Sequence, residues 1–241
     1  MKEVEDIRKK ILLAFKHINF LKNNHTYDVN GKNLKCVSNC LDNYKTPFDS
    51  DKIAEAFAKK NKLKKDDVLK QWEDKKNDSC DLGTRVHDFA EKRFYSKDVI
   101  PELGLEIAVM NYWKSIDEDP NLIPVLCETK VCSELLNYAG TFDLLLYDVK
   151  RKGLIICDYK SNKELYKNFK NQKLLKPFDF LLDTNFNKYQ LQLSYYQVPL
   201  EDIDLTVVDR EIIWLKEDST YEVLPTLDFS QHIRYYQSLS V

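Results

Sequence analysis

Three extended runs follow one another between residues 123 and 161: "IPVLCETKVCS", "YAGTFDLLLYD" and "GLIICDYKS". All three are rich in Val, Ile, Leu and aromatic residues and read as strands, the last of them buried. Around them the pattern turns helical. "EDIRKKILLAFKHINFL" carries helical spacing to Leu21, and "DSDKIAEAFAKKN" begins at a cap on Ser50. "KKDDVLKQWEDKK" leads into a separate helix, "LGTRVHDFAEKRFY", and "ELGLEIAVMNYWKSI" follows. After the three strands come a helix in "FNKYQLQLSYYQVPL", strands in "REIIWLK" and "TYEVLP", and a closing helix in "DFSQHIRYYQSL". Near the start, "HTYDVNGKNLKCVS" holds an Asn-Gly turn between extended segments and reads as a hairpin. Helices flanking a central mixed sheet of about five strands make the fold class α/β.

The chain has 241 residues and only five glycines, with no repeat, low-complexity tract or linker. One domain over 1–241 is expected, with a helical N-terminal part and hairpin in 1–80 and a core from about 81 to 241. No stretch has the roughly 20 apolar residues of a membrane helix. "MKEVEDIRKKILLAF" lacks the apolar core of a signal peptide. The six cysteines form no CxxC pair, and the i, i+4 pair Cys36 and Cys40 reads as idle thiols. A reduced, cytoplasmic protein with no membrane partner is expected.

The net charge of −2 excludes a protein that coats nucleic acid by charge alone, but not one with a local basic groove. Such a stretch exists. Lys160, Lys163, Lys167, Lys170, Lys173 and Lys176 stand against a single Glu164. A second lysine cluster, from Lys59 to Lys76, is diluted by Asp66, Asp67, Glu73 and Asp74 and reads as a solvated helix face.

Asp158 and Lys160 occupy positions i and i+2 at the end of a strand and so share a face. Asp143 interrupts the apolar run of the preceding strand, and a short turn at "DVKRKG" brings the two strands side by side. Glu128 lies in the strand before that. His87 lies at the margin of a stripe formed by Leu82, Val86, Phe89, Ala90 and Arg93. Convergent carboxylates with one lysine suit Mg²⁺ or Mn²⁺, and an imidazole tilts the preference toward Mn²⁺. The chemistry that uses such a set is phosphodiester hydrolysis, with Lys160 orienting or deprotonating a water.

Taken singly, each residue has a structural reading: a satisfied histidine, a sheet-edge aspartate, a surface salt bridge, a packed glutamine and tyrosine. The three remaining histidines, His17, His25 and His232, are read that way. What sets the others apart is their order along the chain. "GTRVHDFAE", "GTFD", "DYK" and "QLSYY" resemble, in sequence, the RecB-type branch of the PD-(D/E)XK nucleases over roughly residues 83–196.

The resemblance implies a restriction-endonuclease-like core and a metal-dependent deoxyribonuclease, acting as an exonuclease on DNA ends in recombination, repair or phage DNA metabolism. It implies His87, Asp143, Asp158 and the Tyr159 backbone carbonyl as metal ligands, with one or two Mg²⁺ or Mn²⁺ ions. Asp143, Asp158, Lys160, Gln192 and Tyr196 would be the catalytic set, with Gln192 and Tyr196 on one helical face that positions the lysine and the DNA. Glu128 would stand behind the ligands. Arg85, Ser161, Lys163, Lys167 and Lys170 are candidate DNA contacts. Iron–sulphur members carry cysteines after the lysine motif and this chain has none after Cys157, so no cluster is expected. No GxxxxGK[ST] occurs, which makes any helicase, single-strand-binding or recombination partner a separate chain. Two alternatives compete with this reading: a non-catalytic DNA-binding or assembly subunit that keeps the fold, and a glycoside hydrolase using Asp143 and Asp158 as an acid–base pair.

Overall fold

The computed structural model describes residues 2–22, 24 and 26–238, the side chains of 237 and 238 excepted; His25 lies outside them. In chain order the elements are α1 (Lys2–Ala14), β1 (Ile18–Leu21), β2 (Thr26–Val29), β3 (Lys32–Cys36), α2 (Val37–Asp42), α3 (Ser50–Asn61), α4 (Lys65–Tyr95) and α5 (Gly104–Glu118). There follow β4 (Leu122–Ser133), β5 (Tyr138–Asp148), β6 (Gly153–Lys160), α6 (Asn185–Asp202), β7 (Val207–Leu215), β8 (Tyr221–Pro225) and α7 (Ser230–Ser238).

The strands form one open, mixed, eight-stranded sheet, ordered β1-β2-β3-β5-β6-β7-β8 with β4 also pairing β5. β3–β5 and β6–β7 are parallel and the other pairs antiparallel. The fold is therefore α/β with helices around a mixed sheet. The sheet is wider than five strands because the N-terminal hairpin joins it through β3. At the hairpin tip Asn30 and Gly31 have φ of +53° and +83°, the positive values a two-residue turn matched to strand twist requires.

Alternating side chains divide the core between the two faces of the sheet. On one face Leu144, Leu146, Ile155, Cys157, Tyr159 and Ile213 pack with Val86 and Phe89 of α4 and with Tyr112 and Trp113 of α5. On the other, Leu145, Ile156 and Ile212 meet Leu191, Tyr195 and Val198 of α6 and Val4 and Ile11 of α1. Both faces of β5 and β6 are covered, which explains their nearly unbroken apolar runs. Arg93 tolerates burial in the α4 stripe because it donates to Asp117 at 2.6 Å and lies over the Trp113 ring.

Four local expectations are corrected. α1 stops at Ala14, and Ile18–Leu21 is a strand: its helix-like spacing yields to pairing with β2, from Ile18↔Val29 to Leu21↔Thr26. The cap of α3 is Asp49, whose carboxylate accepts the Lys52 N–H at 3.0 Å, rather than Ser50. The two helices expected between 64 and 95 are one helix of 31 residues, which runs through residue 80 without interruption. Gly83 does not break it, since one glycine costs a helix only about 1 kcal/mol. The short α2 after the hairpin was not anticipated.

Candidate metal centre

β5 and β6 are paired from Asp148↔Gly153 to Leu144↔Cys157, and there the ladder ends. Beyond that rung β5 continues along β4, and β6 along β7. Asp143 and Asp158 are the first residues past the fork. The Tyr159 amide, released from the β5–β6 ladder, donates to Asp143 Oδ2 at 2.7 Å and fixes that carboxylate. Both aspartates are buried, Asp158 to 1 % exposure.

α4 brings His87 to the fork. Its Nδ1 lies 3.4 Å from Asp143 Oδ1 and 3.5 Å from Glu128 Oε1, and its ring meets Tyr159 edge-on. One ligand atom from each of His87, Glu128 and Asp143 lies within 4.8 Å of the others. Glu128 thus stands beside His87 and Asp143 as an equal, not behind them. Its backbone is left-handed, with φ of +44°, in the middle of a strand. Such a conformation costs a non-glycine residue on the order of 1–3 kcal/mol and persists where the surroundings enforce it.

The electrostatics reflect one crowded site. Asp143, and then Glu128, hold the imidazole well above its ordinary pKa against the effect of burial. Burial pushes Asp143 up, but His87 and Lys160 and the Tyr159 amide outweigh it and the net shift is downward. Burial raises Glu128 despite the neighbouring imidazole. Asp158 is pushed up to about 6 by burial, with Lys160 opposing and Asp143 adding to the rise.

Asp158 Oδ2 is ion-paired to Lys160 Nζ, while Oδ1 is buried without a hydrogen-bond donor among the described residues. Burial alone would lower Lys160, but Asp158 and Asp143 hold its ammonium above the usual lysine range. That ammonium also lies 4.5 Å from the centre of the Tyr189 ring, and the Tyr189 hydroxyl donates to Asn162 Oδ1 at 2.7 Å.

On α6, Gln192 Nε2 donates to the Tyr196 hydroxyl at 2.7 Å. Tyr196 is pressed against the backbone of β5: a Cβ on Gly140 would come within 2.5 Å of its ring. Burial, then the field of Asp158, raises the Tyr196 phenol. The residue against Lys160, however, is Tyr189, which sequence reasoning missed. The signal was present, because Tyr189 precedes Gln192 by three residues and so shares its helical face. The Tyr159 amide is engaged in the site through its bond to Asp143, and the N–H and C=O of one strand residue point to the same side.

The cations named as DNA contacts fare differently. Arg85 donates to Glu106 at 2.8 Å and Glu102 at 2.6 Å, beside the start of α5. Lys163 and Lys167 are exposed and paired with Glu217 and Glu164. Lys170 lies 5.2 Å from the centre of the Phe169 ring. Ser161 and Lys163 line a cavity of about 410 Å³ with Asn162 and Trp214.

One nitrogen and several carboxylate oxygens, with an unpartnered buried oxygen on Asp158 alongside, fit a hard divalent cation such as Mg²⁺ or Mn²⁺. His87, Glu128 and Asp143 are the residues that could hold it, and Asp158 flanks them. No protein-family model matches the chain, and no curated protein matches it.

Proposed function

We propose that this protein is a metal-dependent deoxyribonuclease that hydrolyses phosphodiester bonds at DNA ends. The observation that carries the reading is the meeting, at one fork in the sheet, of His87, Glu128 and Asp143 with the buried Asp158–Lys160 pair. A cation bound there would neutralise phosphate oxygens and acidify a water.

The protein's own groups supply the rest. The Tyr159 amide and His87 fix the Asp143 carboxylate, so its orientation does not depend on ligand. Lys160 is ion-paired to Asp158 at the fork, where it would orient the attacking water or a phosphate oxygen. The Tyr189 ring packs against the ammonium. Gln192 and Tyr196 are bonded to each other on α6, with Tyr196 against the β5 backbone at Gly140.

The test compares end-labelled linear, circular and single-stranded DNA in Mn²⁺ or Mg²⁺. Release of nucleotides from linear molecules alone supports an exonuclease. Nicking of circles would replace the exonuclease reading by an endonuclease. Binding to ends without product at any metal concentration would favour the non-catalytic subunit.

A further inference from the structure

β6 delivers Lys160 to the fork, and the chain then runs through a long lysine-rich segment before α6. This segment is built, not loose. Leu165 is fully buried, its carbonyl accepts the Phe186 N–H at 2.9 Å, and the Asn168 side chain donates to the carbonyls of Gln172 and Asp183 at 2.8 and 3.0 Å. At its tip Lys170 and Asn171 both have φ of +54°, a costly arrangement for two successive non-glycine residues.

What this frame presents outward is aromatic. Trp214 is the β7 register partner of Lys160, and its indole N–H donates to the Asn162 carbonyl at 2.7 Å. The Tyr166 ring stands edge-on to Trp214, with centroids 6.3 Å apart, and 5.1 Å from Phe186. Tyr166 is 54 % exposed and Phe169, at the strained tip, 70 %. The Lys216 ammonium covers Trp214, and Lys170 covers Phe169. The cavity of about 410 Å³ opens beside Trp214.

Exposed rings held on a rigid frame among cations are the means by which proteins grip an unpaired strand: bases stack on the rings while the lysines follow the phosphates. The carboxylates paired with Lys163 and Lys167 are exposed, and such pairs have little net value, so they yield readily to phosphate. A duplex hides the faces of its bases and gains nothing from such rings. We propose that the exposed rings of Tyr166 and Phe169, with the half-buried Trp214 supporting Tyr166 edge-on, form a stacking platform for unpaired bases of the nucleic-acid strand whose phosphodiester reaches Lys160. The proposal rests on the nuclease reading for its orientation.

The test is fluorescence anisotropy of the full-length protein with a labelled oligothymidylate and with a blunt duplex, in Ca²⁺ to limit turnover. Tyr166→Ala is expected to weaken oligothymidylate binding by about five- to a hundredfold, the loss of roughly one stacked base. Tyr166→Phe keeps the ring and the affinity, and the duplex affinity changes much less in either variant. Should Tyr166→Ala fail to fold by circular dichroism, Phe169→Ala at the exposed tip decides with the same expectation. Unchanged oligothymidylate binding, absent binding in the wild type, or an equal loss for duplex overturns the platform. Hydrolysis of bis(p-nitrophenyl) phosphate by the wild type in Mn²⁺ is read separately: its absence beside ring-dependent binding would overturn the nuclease reading and leave the platform standing.

Discussion

The amide N–H of Tyr159 donates to Asp143 Oδ2 at 2.7 Å across the point where β5 and β6 part. This bond makes the Asp143 carboxylate a structural acceptor as well as the ligand proposed above, and substitutions separate the two roles. Asp143→Asn keeps an oxygen for the amide and loses only the charge that faces His87 and Lys160, while Mn²⁺ affinity falls. Asp143→Ala leaves a buried N–H unsatisfied as well, which costs a further ~1–3 kcal/mol. Urea unfolding and calorimetric Mn²⁺ titration of both variants measure the two effects independently.

Glu128 offers a comparable separation. Its φ of +44° suits glycine, so Glu128→Gly relieves roughly 1–2 kcal/mol of left-handed strain at the expense of some backbone freedom. The metal-free variant is expected to melt no lower than the wild type, yet to bind Mn²⁺ at least about tenfold more weakly, the lower end of what lost support of a metal ligand costs. A melting curve without metal and a titration with it suffice.

The Asp158–Lys160 pair is expected to show strong coupling. Lys160→Met leaves a buried carboxylate without its partner and should destabilise by about 3–5 kcal/mol, whereas the double variant with Asp158→Asn recovers much of that. Neither has DNA hydrolysis in Mg²⁺ or Mn²⁺. A double-mutant cycle by urea unfolding, run beside the nuclease assay, checks both halves.

Much of this site was legible in the sequence because its elements are punctuated. β5 matches its expected bounds, with Asp143 conspicuous as the carboxylate inside an apolar run, and "DYK" ends β6 as read. Arg85 is paired with Glu102 and Glu106, and helix geometry separates it from His87, since positions i and i+2 face different sides. Glu128 was ranked too low because its direction depends on a left-handed backbone that no residue pattern announces. β1 was hidden for a related reason: its spacing is helical, and only the partner strand β2 makes it extended.

A pH effect is expected away from the fork. Burial, then Asp209, pushes the Glu211 carboxyl up to about 7, with Arg151 opposing. Its folded pKa lies above its unfolded value, so the folded state holds the extra proton and stability falls as pH rises from about 4.5 to about 7. Glu211→Gln, which keeps a neutral side chain, should raise the melting temperature at pH 8 and leave it nearly unchanged at pH 4. Thermal unfolding of both proteins across that window provides the comparison.

Gly140 ties the β5 backbone to α6. A methyl group there would meet the Tyr196 ring at 2.5 Å and Val37 Cγ2 at 3.0 Å. Gly140→Ala should displace Tyr196, break its bond to Gln192 and cost about 1–3 kcal/mol by overpacking. Urea unfolding gives the cost, and hydrogen exchange along α6 locates it.

The most direct measurement of the central claim is nucleotide release from end-labelled linear DNA in Mn²⁺ by the wild type and by Asp158→Ala, each matched for fold by circular dichroism. Release by the wild type that stops on chelation and is abolished in Asp158→Ala is the predicted result. Undiminished release by a clean Asp158→Ala preparation would contradict the assignment of this fork as the hydrolytic centre.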